Sequence, residues 1–230
     1  MRFTLVVTSH GRWEYLGRAL EALDRVVGLD FFDRRILSVD GDAGGAHLVL
    51  ARDRHCTKAG NVVTVNYPGQ TWEVLSQTRQ GLTANLAQAW GALTPDDEWV
   101  FHLEEDFVIE DAPLTEMAET LDAFRNVANM VLLRQPWNQE EIRAGSILKT
   151  HRFMLTDMGG WLQHEAGFWL NPMLAHASLL RSLRPGVESD LTNQCRSRGL
   201  TFGWWGGRDD PPRCWHIGSE QGMGSPGWLP

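Results

Sequence analysis

Three consecutive carboxylates, Glu104-Glu105-Asp106, follow the apolar run Trp99-Val100-Phe101-His102-Leu103. Carboxylates crowded at the end of a buried strand repel one another unless something positive is bound there. Hard divalent cations prefer such oxygens and also bridge phosphates. A solvated acidic turn is the alternative, and the apolar flanks favour the metal site. Two further polar clusters also follow apolar runs: Thr8-Ser9-His10-Gly11-Arg12, and Asp40-Gly41-Asp42. Near the C-terminus, Cys214-Trp215-His216-Ile217-Gly218 offers an imidazole between apolar neighbours, a setting in which a lone histidine is ordinarily packed. Glu188 and Asp190 follow Pro185-Gly186, where acids in a first helical turn complement the helix dipole.

These clusters need a scaffold. Phe3 to Thr8 is short, apolar and β-branched, which predicts a buried strand. Leu16, Leu20, Leu23 and Val27 then fall at helical spacing. Ile36 to Val39, Val62 to Val65, Trp99 to Leu103 and Met130 to Leu133 read as further strands. Leu82, Leu86, Ala89 and Leu93 mark a second amphipathic helix, and Asp111 caps a third that carries Leu114, Met117, Leu121 and Phe124. Alternation of strand and helix predicts an α/β fold with a mostly parallel sheet flanked by helices. Ligands of such sheets sit at the carboxyl ends of the strands, so the three polar clusters are expected to meet in one crevice. After Gln135 the pattern loosens without a clean linker. One domain over 1–230 is therefore expected: a ligand-binding half (1–133), a lobe packed on the same sheet (134–217) and a flexible glycine-rich tail (218–230).

The opening Val7-Thr8-Ser9-His10-Gly11-Arg12-Trp13-Glu14-Tyr15-Leu16, the acidic turn Ser38-Val39-Asp40-Gly41-Asp42 and the stretch Gln80-Gly81-Leu82-Thr83-Ala84-Asn85 precede the acidic triplet in that order. Together they resemble the GT-A glycosyltransferases, in particular the family 2-like group. Glu104-Glu105-Asp106 stands where that family carries its DxD-type motif, with Glu in place of the first Asp. The resemblance covers about residues 3 to 110. It implies a GT-A-like, Rossmann-like fold with a C-terminal acceptor-side lobe, and a nucleotide-diphosphate sugar donor, foremost a UDP-sugar. Asp106 would ligate Mn²⁺ or Mg²⁺, while Glu104 and Glu105 support the metal or hold the ribose. Thr8, His10, Arg12, Asp40 and Asp42 would line the base and ribose pocket. The resemblance also implies His216 as a late metal ligand, which favours Mn²⁺. It places a general base at Glu188 or Asp190, with Asp157 and Glu165 as reserves, in an inverting reaction.

Composition sets outer limits. In 230 residues, 43% hydrophobic and 22% charged residues are an ordinary globular balance, which excludes a disordered or fibrous chain. The net charge of −8 is local: Thr94 to Phe124 holds eleven acids and no Lys or Arg, leaving 21 basic against 18 acidic residues elsewhere, a net of +3. Global charge therefore does not exclude an anionic partner. No apolar run reaches membrane-spanning length, so no membrane partner is expected. The three dispersed cysteines fit a reducing compartment, the cytoplasm (a host cytoplasm for a viral chain). Seven of the eleven tryptophans lie from Trp137 onward, as core or as stacking faces. Two other functions remain in view, a non-catalytic carbohydrate-binding module and a nucleotidyltransferase. The latter ordinarily has a Gly-rich, Lys-bearing loop after the first strand, and Ser9-His10-Gly11-Arg12 lacks the lysine. The acceptor is not specified by the sequence, and a hydroxymethylated DNA base, flipped out of the duplex, is one candidate.

Overall fold

The computed structural model describes residues 1–41, 56–59, 62–67, 70–150 and 155–218, with backbone alone for 56–59, 62–67 and 150. Its first half follows the alternation expected. Strand β1 (Phe3–Ser9) leads to helix α1 (Trp13–Val26), a 3₁₀ turn (Leu29–Phe31) and β2 (Arg34–Asp40). β3 (Cys56–Ala59), β4 (Val62–Tyr67) and β5 (Gln70–Gln77) precede α2 (Leu82–Gly91) and β6 (Trp99–Glu104). Then come β7 (Phe107–Ile109), α3 (Leu114–Ala123), β8 (Val127–Leu132) and the short helices α4 (Gln139–Ala144) and α5 (Ile147–Thr150). β9 (Thr156–Asp157), β10 (Trp161–His164), β11 (Met173–His176), α6 (Ala177–Ser182), α7 (Glu188–Arg196), β12 (Thr201–Trp205) and β13 (Cys214–His216) complete the order.

Eleven of the described strands form one sheet in the order β3-β4-β5-β2-β1-β6-β11-β8-β12-β10-β9, and β13 pairs with β7 in a small second sheet. The sheet is mixed, which corrects the expectation of a mostly parallel one. Only four of its ten strand pairings are parallel: β1 with β2 and β6, β2 with β5, and β8 with β12. The physical reason is connection length. Two residues separate β3 from β4 and β4 from β5, far too few for a parallel crossover, so both pairs are antiparallel. β11 is also inserted between β6 and β8 and runs against both. Strands from both halves of the chain share this sheet.

Strand alternation divides the core between the two faces of the sheet. Leu5, Val7, Leu37 and Phe101 pack with Leu16, Leu20 and Leu23 of α1 and with Met117 and Leu121 of α3. Val6, Ile36, Val100 and Val131 pack with Leu86 and Trp90 of α2 and with Leu180 and Leu191 of α6 and α7. Each fully buried aliphatic side chain stabilises the fold by about 1.5–3 kcal/mol. Trp161 and Trp204 are buried in these cores, not offered as faces. Asp111 does not cap α3. Pro113 occupies the cap position, and Asp111 pairs with Arg213 instead. Among the described residues no helix is long and apolar enough to cross a membrane.

Candidate functional site

From β1 the chain moves outward to β2 and β5, then returns to β6 on the other side of β1. This reversal opens a crevice at the carboxyl ends of β1 and β6, where open α/β sheets bind ligands. A cleft of about 540 Å³ lies there, and its lining includes Thr8, His10, Arg12, Asp40, Glu104, Glu105, Asp106 and His216. The three strand-end clusters therefore meet as expected. Asp42 and residues 219–230 of the predicted tail lie outside the described residues.

The acidic triplet divides into three different environments. Glu105 is 1% exposed and turns into the β1–α1 loop. Its carboxylate accepts from the His10 and Arg12 backbone N–H groups at 3.0 and 3.2 Å, from Arg12 Nε at 2.6 Å, and from the Ser9 hydroxyl. Gly11, at φ +81°, lets the loop curl around it. Glu105 thereby caps α1, which has no side-chain cap of its own, and its charge complements the helix N-terminus. The anion-binding concavity after the first strand is thus filled by the chain's own carboxylate.

Asp106 Oδ2 receives Arg12 Nη2 at 2.7 Å and faces His216 Nε2 at 3.4 Å. Burial alone would raise the Asp106 pKa, but His216 and Arg12 outweigh it and hold the carboxyl below its ordinary value. Gly218 closes on the same oxygen, and any Cβ there would collide with it. Gly218→Ala is expected to destabilise the fold by about 1–3 kcal/mol through overpacking and to displace Asp106. Thermal unfolding reads the first effect, and the NMR signal of the Asp106 carboxyl carbon reads the second.

The Glu104 carboxylate has no hydrogen-bond partner among the described residues. Burial, with the charges of Asp106 and Glu188, pushes its carboxyl well above the ordinary value. Because the folded pKa exceeds the unfolded one, stability is full below the unfolded pKa and falls as pH rises through the folded value. Glu104→Gln should therefore stabilise the ligand-free protein near neutral pH by about 1 kcal/mol. The corresponding Tm gain is about 2–4 °C, and it should vanish near pH 4. Equal Tm values at pH 7 would contradict this.

The remaining predicted residues form the walls. Asp40 is buried; its Oδ1 accepts from Gln80 N at 2.7 Å and its Oδ2 from Gly81 N at 2.9 Å, with His10 Nδ1 3.4 Å away. Burial would raise its pKa, yet these donors hold it below the ordinary value. Asp40 thus fixes the turn into α2 and orients His10. The Thr8 hydroxyl lies 3.1 Å from His102 Nε2. Asn85 ties α2 to the sheet by donating to Ser9 O at 3.1 Å and accepting from Ser38 Oγ at 2.6 Å.

Sequence reasoning missed three side chains. Arg79 reaches into the cleft and donates to His10 O at 2.8 Å. Gln135 clasps the His216 main chain from both sides, each hydrogen bond being 2.9 Å. Trp137 lies edge-on to the His216 ring, with ring centres 4.0 Å apart. Beyond their polarity or aromaticity, nothing in the sequence near these residues marks them.

Glu188 opens α7 and lines a second cavity of about 320 Å³ with Trp169 and Asn193. Its Oε1 accepts from Leu170 N at 2.9 Å. Burial raises its pKa despite that bond and the charge of Arg134. Asp190 is exposed and packs against Gly186, away from both cavities. Asp157 and Glu165 are also exposed.

Among the described residues, no three His, Cys, Asp or Glu side chains are grouped to hold a metal ion. Asp106 and His216 nevertheless suit a shared cation as a pair. Two donors each about 2.1 Å from one metal lie roughly 3.0–3.5 Å apart, and theirs are 3.4 Å apart. Further positions would have to come from a ligand or water. The chain matches no family model and no curated protein at a significant level.

Proposed function

We propose that this protein is a metal-dependent, inverting glycosyltransferase. It would move a sugar from a nucleotide-diphosphate sugar, foremost a UDP-sugar, to an acceptor hydroxyl. The observation that carries this reading is the cleft at the sheet reversal. Two arginines there stand against four carboxylates, so a diphosphate needs an added cation, and Asp106 and His216 face each other at a suitable separation. GT-A-like identity belongs to the same proposal. Its support is the crevice geometry together with the motif order.

Asp106 and His216 would hold Mn²⁺ or Mg²⁺, and an imidazole donor favours Mn²⁺. The bound ion would supply Lewis-acid neutralisation of the departing diphosphate. The other tasks fall to the chain itself. Arg79 and Arg12 attract phosphate oxygens, and the Thr8 hydroxyl and Glu104 suit ribose or sugar hydroxyls. Glu188 takes the acceptor's proton as the acceptor oxygen bonds to the anomeric carbon. The bond from that carbon to the diphosphate breaks, and its electron pair leaves with the diphosphate. The raised pKa of Glu188 makes it a better base than an ordinary carboxylate.

A carbohydrate-binding module gains little support, since Trp161 and Trp204 are buried. A nucleotidyltransferase with a phosphate-cradling first loop is disfavoured because Glu105 fills that loop.

The test is a panel of nucleotide sugars with Mn²⁺ or with EDTA, offered sugars, hydroxyl-bearing peptides and hydroxymethylated DNA as acceptors. One donor should be consumed only with Mn²⁺, and NMR should show the anomeric configuration inverted. Release of nucleoside diphosphate from no donor under any condition would overturn the proposal.

A further inference from the structure

We propose that Arg12 is an exchangeable counter-ion, holding Asp106 where a divalent cation would sit and moving to the ligand's phosphates when that cation arrives. This rests on the reading of the cleft as a diphosphate site.

The geometry is specific. One guanidinium spans two carboxylates, with Nε on Glu105 at 2.6 Å and Nη2 on Asp106 Oδ2 at 2.7 Å. That Asp106 oxygen is the one facing His216 Nε2. A cation between Asp106 and His216 would meet the positive guanidinium within van der Waals range, so the two compete for one oxygen. The competition is unequal between the two anchors. Glu105 has three other donors and loses little if Arg12 swings, whereas among the described residues Arg12 is the one guanidinium or ammonium group paired with Asp106. The freed Nη groups form a planar fork suited to phosphate oxygens. The Arg12 guanidinium also lies 5.2 Å from the Tyr15 ring centre, so an aromatic face supports it at the cleft edge.

The exchange separates the affinity for metal alone from the affinity for metal with diphosphate. Without a diphosphate, a cation must evict Arg12 into solvent; with one, Arg12 gains new anionic partners.

The test titrates Mn²⁺ alone into the full chain, followed by electron paramagnetic resonance, for wild type, Arg12→Gln and Arg12→Lys. Removing a partly buried counter-ion leaves a carboxylate in want of a cation. Arg12→Gln should therefore bind Mn²⁺ about tenfold more tightly than wild type, and UDP in saturating Mn²⁺ about tenfold more weakly. Arg12→Lys, which cannot fork across both carboxylates, should fall between. Folded variants that bind Mn²⁺ no more tightly than wild type would overturn the proposal.

Arginine side-chain NMR reads the same exchange in the unaltered protein. The Arg12 Nη signals should move on adding Mg²⁺ with UDP, and stay in place with Mg²⁺ alone at sub-saturating concentration. Signals unmoved by the two together would overturn the proposal even if neither variant folds. Failure of the functional reading looks different: wild type would then bind no UDP at any Mn²⁺ concentration.

Discussion

Glu188→Gln is expected to lower turnover by about 10²-fold or more while leaving donor affinity close to wild type, the usual scale for loss of a general base. Glu188 opens α7 at the second cavity, close enough to Glu104 for their charges to interact. Leu170 N–H holds Oε1, leaving Oε2 as the free base. Gln preserves that hydrogen bond through its carbonyl oxygen, so α7 and the 166–170 segment should stay in place. The pH profile adds a second signature. Burial raises the Glu188 pKa, so the acid limb of wild-type kcat should lie above the ordinary carboxylate range, and turnover should fall as pH drops through it. Asp190→Asn should remain near wild type, because Asp190 is exposed against Gly186. A Glu188→Gln protein with near-full turnover would move the base elsewhere.

Asp106→Asn should abolish metal-dependent nucleotide binding, a loss expected at about 10²-fold or more since a ligating carboxylate becomes a neutral amide. The fold should survive, because β6 and β7 are fixed by Leu103, Phe107 and Ile109 in the core. Stability should nevertheless drop at neutral pH. The Asp106 pKa is depressed in the folded state, so its charge contributes stability above the unfolded carboxylate pKa and loses it as pH falls through the folded value. The deficit of the variant should therefore shrink in acid. Calorimetry with a nucleoside diphosphate and Mn²⁺, paired with unfolding at pH 7 and pH 3, checks both. Unchanged diphosphate affinity would show that Asp106 is not the ligand.

Period and punctuation made the first half of the fold legible. β1, α1, β2, α2 and β6 carry short apolar runs or helical spacing, and their ends carry the site's polar groups. Long-range pairing was not legible. β11 enters the sheet between β6 and β8, and no local feature of Met173–His176 announces its neighbours. The acidic triplet was readable as a site but not as a division of labour. Strand geometry sends Glu105 into the α1 loop, leaves Glu104 unpaired among the described residues and sets Asp106 against His216. The expectation that the crowded carboxylates lack a positive partner therefore holds for Glu104 alone among the described residues, since Arg12 pairs with both of the others. Asp40 likewise reads as a ligand contact in sequence, yet its oxygens are occupied by the Gln80 and Gly81 N–H groups. Gln135 and Trp137 act on His216 from some eighty residues away, a distance at which a single sequence carries no signal.

The central claim is that the cleft takes a nucleotide diphosphate through a cation held at Asp106 and His216. Calorimetric titration of UDP into the wild-type protein, once with Mn²⁺ and once with EDTA, tests it most directly. The account predicts saturable binding at one site with Mn²⁺ and at least about tenfold weaker binding in EDTA, the metal bridge being the main attraction in a net-negative cleft. Equal affinity in the two titrations, or no binding in either, would contradict it.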